Sequence, residues 1–121
     1  MIDKELIELQ KGCKATCVVI QNENIEELDS KYIVDADIND GELLTVFKEN
    51  LLSNEQFEYF VIKAIDGISV DMQEKYTGIV KDRRFGKYCL PENMIIVLTV
   101  SNKDAMKKLS RELYNFCVVA F

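Results

Sequence analysis

Two hydrophobic periods alternate along this chain, and that alternation limits its fold more than any other feature. Short continuous apolar runs, rich in Val and Ile, occur at Ala15–Ile20, Tyr32–Val34, Tyr59–Ile62, Met94–Val100 and Cys117–Phe121. Runs of this length read as strands buried on both faces. Between them the spacing changes to the helical period. Leu44, Phe47 and Leu51 stand at i, i+3, i+7; Met72, Tyr76 and Ile79 at i, i+4, i+7; Met106, Leu109, Leu113 and Phe116 continue the rhythm. Helix-start signals accompany them: Asp71 with Glu74 and Ser101 with Asp104 have capping-box spacing, and Asn39 with Glu42 is a weaker version. Gly86 is the expected stop of the helix that carries Met72, Tyr76 and Ile79. A charged, periodic stretch from Met1 to Leu9 adds a helix before the first strand.

Strands that alternate with helices imply crossover connections and a parallel sheet covered on both faces. The expectation is a single α/β domain over residues 1–121, a three-layer fold around a five-stranded parallel sheet. One connection is anomalous. Only Gln21–Lys31 separates the first two strands, which is short for a crossover that includes a helix. About two helical turns through Ile25 and Leu28 fit there.

What the sequence lacks excludes whole classes of chemistry. It has no histidine, so imidazole cannot serve as base, nucleophile or zinc ligand. The glycines, Gly12, Gly41, Gly67, Gly78 and Gly86, build neither a P-loop nor a dinucleotide-binding turn. Carboxylate pairs such as Glu26–Glu27, or Asp35 with Asp37, read as solvated faces. A net charge of -6 argues against nucleic acid and anionic membranes as partners. Cys13, Cys17, Cys89 and Cys117 contain only one close pair and no zinc spacing. They read as buried structural thiols in a reducing cytoplasm. The first residues show no signal-peptide core, and no apolar run is long enough for a membrane span. No metal or cofactor is implied.

The stretch Lys81-Asp-Arg-Arg-Phe-Gly-Lys-Tyr-Cys-Leu-Pro-Glu-Asn93, followed by Met94-Ile-Ile-Val-Leu-Thr-Val-Ser-Asn102, carries more specific information. It resembles the segment between Walker B and sensor 1 in AAA+ ATPases, particularly the MoxR-like branch. Asn102 matches the sensor 1 asparagine, and Asp71 and Gln73 match positions of the preceding helix. The resemblance covers about half the chain at residue level. It implies a P-loop NTPase-like core with strand order 5-1-4-3-2, counting the expected strands along the chain.

The departures from that family all fall on its chemistry. A gapless count places the Walker B Asp-Glu pair on Lys63-Ala64, which can neither hold Mg²⁺ nor orient water. A shifted register uses Asp66 and Gly67 and still lacks the glutamate. The Gln21–Lys31 connection stands where the P-loop belongs, and Asn115 stands where the arginine finger would be. The sequence contains no helical lid with its sensor 2 arginine. The resemblance therefore implies a catalytically inactive AAA+-like domain that binds no nucleotide. Such a domain works as a protein–protein interaction or structural module, with itself or with another protein. Arg83, Arg84, Phe85 and Tyr88 are its candidate partner contacts, and Phe121, at the apolar end of the last strand, marks a candidate dimer edge.

Three other readings compete. A lysine at the end of a central strand faces the crevice where α/β sheets bind ligands. Lys63 there either pairs with Asp66 or Asp37, or forms a small-anion site with Asn102. The chain also resembles response-regulator receivers in length and alternation. In that reading Asp66 is the phosphoacceptor, Glu23 the acid after the first strand, and Thr99 or Ser101 the switch hydroxyl. The third is an enzyme of unspecified reaction that gathers Lys63, Asp66, Ser101 and Asn102 in the same crevice.

Overall fold

A computed structural model describes residues 2–10, 13, 15–28, 32–49 and 59–121. Gly12, Lys31 and Leu51, which entered the sequence reading, lie outside the described residues. The elements in chain order are α1 (Lys4–Glu8), β1 (Cys17–Gln21), a 3-10 helix (Asn22–Glu27), β2 (Tyr32–Asp35), α2 (Asp40–Glu49) and β3 (Tyr59–Lys63). A 3-10 turn (Ile65–Gly67), α3 (Val70–Asp82), β4 (Arg84–Phe85) and β5 (Tyr88–Cys89) follow. The rest comprises β6 (Ile95–Val100), a 3-10 helix (Lys103–Lys108), α4 (Arg111–Tyr114) and β7 (Cys117–Val119).

Among the described residues five strands form one sheet, and every pairing in it is parallel. Its order is β2-β3-β6-β1-β7. As numbered, this differs from the expected 5-1-4-3-2, because two short strands, β4 and β5, lie in chain order between the third and fourth strands of the sheet. Among the described residues they pair only with each other, antiparallel. With that hairpin left out of the count, the sheet reads 2-3-4-1-5, the expected series taken from the other edge.

Period-two alternation divides the core. Val19, Val34, Phe60, Ile62, Ile96 and Leu98 point to one face, where Leu43 and Phe47 of α2, Tyr76 and Ile79 of α3 and Leu113 of α4 cover them. Val18, Ile20, Val61, Ile95 and Val97 point to the other, against Ile2, Ile7 and Leu28. The Phe47 and Phe60 rings meet at 5.4 Å between centroids with a tilt of 56°, a favourable aromatic geometry. The central strands are buried on both faces, as expected, but β2 alternates buried and exposed residues because it lies at the sheet edge.

Local chemistry decides where the helices begin and end. α3 starts at Ser69, whose hydroxyl accepts from Met72 N at 3.3 Å, not at the expected Asp71–Glu74 box. Similarly Asn102, rather than Ser101, caps the 3-10 helix by accepting from Ala105 N at 3.0 Å. The Asn39–Glu42 pair does form, with Glu42 N donating to Asn39 Oδ1 at 2.8 Å and Asn39 Nδ2 donating to Glu42 Oε1 at 3.0 Å. The continuous helix expected through Met106 and Phe116 is two short pieces. Ser110 separates them and caps α4 by accepting from Leu113 N at 3.1 Å.

α3 stops at Arg83, not at Gly86. Arg83 takes φ 55°, and its N–H bonds Ile79 O at 2.7 Å. Gly86, at φ 60°, instead opens the two-residue turn between β4 and β5, where the first central position favours glycine. Residues 22–27 supply about two turns in the short connection, as the spacing required.

Candidate functional site at the carboxyl ends of the strands

The strands β1, β3 and β6 all end on the same side of the sheet, and the chain leaves β1 toward β2 but leaves β6 toward β7. Ligands of open α/β sheets bind at such a reversal. Here its polar groups bond to each other. Thr99, fully buried near the end of β6, donates its hydroxyl to Asn22 Oδ1, the first residue after β1. The same oxygen accepts from Ala64 N, just past β3, at 2.9 Å. One side chain thus ties three strand ends together. Ala64 itself sits at φ 60°, ψ 48°, a left-handed conformation costly for a residue with a Cβ, and its bonded N–H holds it there.

Asp66 lies beside this junction in the 3-10 turn after β3. The residue is 8% exposed. Oδ2 accepts from Ser101 Oγ at 2.8 Å and from Ser101 N at 3.4 Å. Oδ1 is buried without a partner among the described residues. Asp66 therefore does not pair with Lys63.

Lys63 is exposed at the end of β3, in register with Asp35 on β2. The two residues, with Ala36, Asp37, Ala64, Gly67 and Ile68, line a cleft of about 350 Å³. Among the described residues Lys63 forms no ion pair with Asp37 or Asp66. Asn102 does not line the cleft; it is exposed and its side chain is spent on the cap. A cleft holding one lysine and two aspartates is no cradle for an anion.

The loop after β2 is fixed from α3. The Tyr76 hydroxyl donates to Ala36 O at 2.6 Å. Lys75 Nζ donates to Ile38 O at 3.0 Å and pairs with Asp40 at 2.9 Å. Burial holds the Tyr76 phenol well above its ordinary pKa, and Asp37, Asp40 and Asp35 add to the shift.

The remaining predicted site residues disperse. Asn115 is the exposed C-cap of α4, its N–H bonding Arg111 O. Arg83 turns inward: Nη2 donates to Pro91 O at 2.9 Å and to Met94 O, tying the end of α3 to the entry of β6. Burial lowers its guanidinium pKa from the ordinary value. It is a structural clamp, not an exposed partner contact. Phe85 and Tyr88 are half-buried against the core, Phe85 meeting Phe47 at 5.7 Å between centroids. Arg84 stays exposed. Phe121 is half-buried and packs on the same core face.

Gln73, which the sequence marks only as a polar position on α3, is fully buried. Its Nε2 donates to Lys108 O at 3.0 Å and Ile68 O at 3.4 Å, and its Oε1 accepts from Ser110 N at 2.6 Å. The signal available was a polar residue on the apolar stripe of α3, next to Tyr76. The buried-thiol expectation is also corrected: Cys17 is buried, Cys117 half-buried, and Cys13 and Cys89 are exposed.

Among the described residues no helix is long and apolar enough to cross a membrane. Comparison of the chain with known protein families and with curated proteins finds no match.

Proposed function

We propose that this α/β domain acts by contact rather than by catalysis, as an AAA+-like fold without a hydrolytic cycle that serves as a protein-interaction or structural module. The observation that carries this reading is the Asn22–Thr99–Ala64 junction. At the strand ends where a phosphate cradle would stand, the side-chain and backbone groups satisfy one another. The neighbouring Asp66 is tied to Ser101 and Asn102 to its own helix cap. The partner surface is the β4–β5 hairpin with its neighbour on α2. Exposed Arg84, half-buried Phe85 and Tyr88, and Leu44 at 39% exposure form a mixed basic and aromatic patch. A methyl at Gly86 would lie 3.4 Å from Leu44 Cδ1, so the hairpin turn and α2 are continuous there.

Thermal unfolding with and without ATP, ADP and Mg²⁺, together with solution mass by light scattering, tests the reading. It expects no nucleotide-dependent shift in Tm, because a ligand that binds only the native state must raise it. A shift of several degrees with Mg-ATP would overturn the non-nucleotide part. In a dimer, Arg84→Glu with Leu44→Ser is expected to lower the solution mass and leave a folded monomer that still unfolds cooperatively, its Tm lower only by the association that is lost.

One observation favours the phosphoacceptor reading, the unpartnered Oδ1 of Asp66. Against it, the receiver arrangement has strand order 2-1-3-4-5, whereas β1 here lies between β6 and β7. Failure of Asp66 to be labelled by acetyl phosphate with Mg²⁺ removes this reading.

A further inference from the structure

Two thiols stand opposite each other on adjacent strands. Cys17 of β1 and Cys117 of β7 are direct register partners, and their side chains point to the same face of the sheet. Sγ to Sγ is 3.7 Å. Neighbouring parallel strands run about 4.8 Å apart, within the Cα separation of about 4.4–6.8 Å that a disulfide spans. Closing the gap therefore needs side-chain rotation and a small approach of an edge strand, not a rearrangement of the sheet. The two sites differ in access. Cys17 is 1% exposed, whereas Cys117 is half-buried on the outermost strand. Cys117 Sγ donates to Leu113 O at 3.3 Å, and Cys17 Sγ lies 3.6 Å from Phe116 O.

We propose that Cys17 and Cys117 form a thiol-modification site, with Cys117 as the entry thiol for a small disulfide such as glutathione disulfide and Cys17 as the resolving thiol that closes an intramolecular disulfide. In the first step Cys117 gives its proton to solvent. Its thiolate attacks one sulfur of glutathione disulfide, and glutathione thiolate leaves and takes up a proton. In the second, Cys17 Sγ attacks Cys117 Sγ, losing its proton, and the second glutathione leaves. The two protein thiols lose two electrons and glutathione disulfide gains them, yielding two glutathione molecules. The hydrogen bond to Cys117 and burial hold the Cys17 thiol well above its ordinary pKa, which keeps it a poor first nucleophile. The product fastens the edge strand β7 to β1 across a sequence separation of 100 residues.

Cys13 and Cys89 are exposed and would react on their own, so the test uses the full chain carrying Cys13→Ser and Cys89→Ser. It is equilibrated in glutathione redox buffers, quenched with alkylating agent and read by intact mass and peptide mapping. The expected result is joint loss of both thiols, a Cys17–Cys117 crosslink within one chain, and a rise in Tm on the order of 10 °C. Adding Cys17→Ala should stop the reaction at a stable glutathione adduct on Cys117. An adduct on Cys117 that persists with Cys17 present overturns the proposal. So do interchain dimers, or two thiols that stay reduced in glutathione disulfide alone. If the Cys17→Ala chain does not fold, Cys117→Ala replaces it, and Cys17 should then resist both glutathione disulfide and alkylation. Rapid modification of Cys17 in that folded variant also refutes the assigned order.

Discussion

Replacing Thr99 with Val tests the junction that closes the strand ends. The two side chains have nearly the same shape, so the substitution removes a hydroxyl and leaves the packing volume alone. Two hydrogen bonds are lost, one from Ala64 N at 2.9 Å and one to Asn22 Oδ1. Each contributes a net ~1 kcal/mol, and a donor left unpaired beside the core adds ~1 kcal/mol or more. Burying a methyl in place of the hydroxyl returns about 0.8 kcal/mol. Asn22 is only half-buried and can turn to water, so its share is small. The balance is a loss of about 1.5 kcal/mol, or roughly 6 °C in Tm for a domain of this size. Urea unfolding of the wild type, Thr99→Val and Thr99→Ser measures it. Thr99→Ser keeps the hydroxyl and should retain most of the stability despite its smaller volume. If Thr99→Val is as stable as wild type, or more stable than Thr99→Ser, the hydroxyl does not hold the strand ends together.

Gln73→Leu leaves Ser110 N and Lys108 O without their buried partner; it should cost about 3 kcal/mol, read as a lower urea midpoint with an unchanged slope. Ala64→Gly removes the Cβ from a left-handed residue at φ 60° and should change stability by about +1 kcal/mol or slightly less, read in the same assay; a loss there would mean that the turn is not strained. Cys17 and Tyr76 both have folded-state pKa values above their ordinary ones. The unfolded chain therefore releases protons first as pH rises. Stability is full below the ordinary thiol value of about 8.5 and falls above it, Tyr76 joining from about 10. In Cys17→Ala the fall in the urea midpoint should begin at higher pH than in wild type.

The sheet was legible because its signal is redundant. Each of β1, β3 and β6 is a run of consecutive Val, Ile, Leu or Phe that only a strand with two covered faces accommodates, and the crossovers between them leave few parallel topologies. What escaped was decided by single hydrogen bonds. The hairpin of β4 and β5 has two residues in each strand, too few to show a period. Ser69 and Asn102 set helix starts that compete with equally good caps one or two residues away, and Ser110 starts a new helix inside a helical rhythm that runs through it. The site was harder still. Lys63, Asp66 and Asn102 do stand at strand ends, as the alternation suggests, but whether they share a cleft depends on side-chain direction, which sequence spacing does not encode. Thr99 and Gln73 look like ordinary polar interruptions of apolar stripes until their partners are known.

The placement of β1 between β6 and β7 has a consequence for how the protein is made. Among the described residues, the earliest strand of this sheet bonds only to strands formed by residues 95–119, Val18 with Val97 and Val118, for example. Until residues 95–119 have been translated, both edges of β1 are bare, and its Val-Val-Ile segment is a ready template for pairing with another chain. The β2–β3 pair can form earlier on its own side. Contacts this distant in sequence make for slow folding, so a growing chain exposes β1 until the stretch that forms β6 and β7 has been made. The nascent chain therefore depends on holding that strand apart from its neighbours on the polysome, well before any native partner is reached.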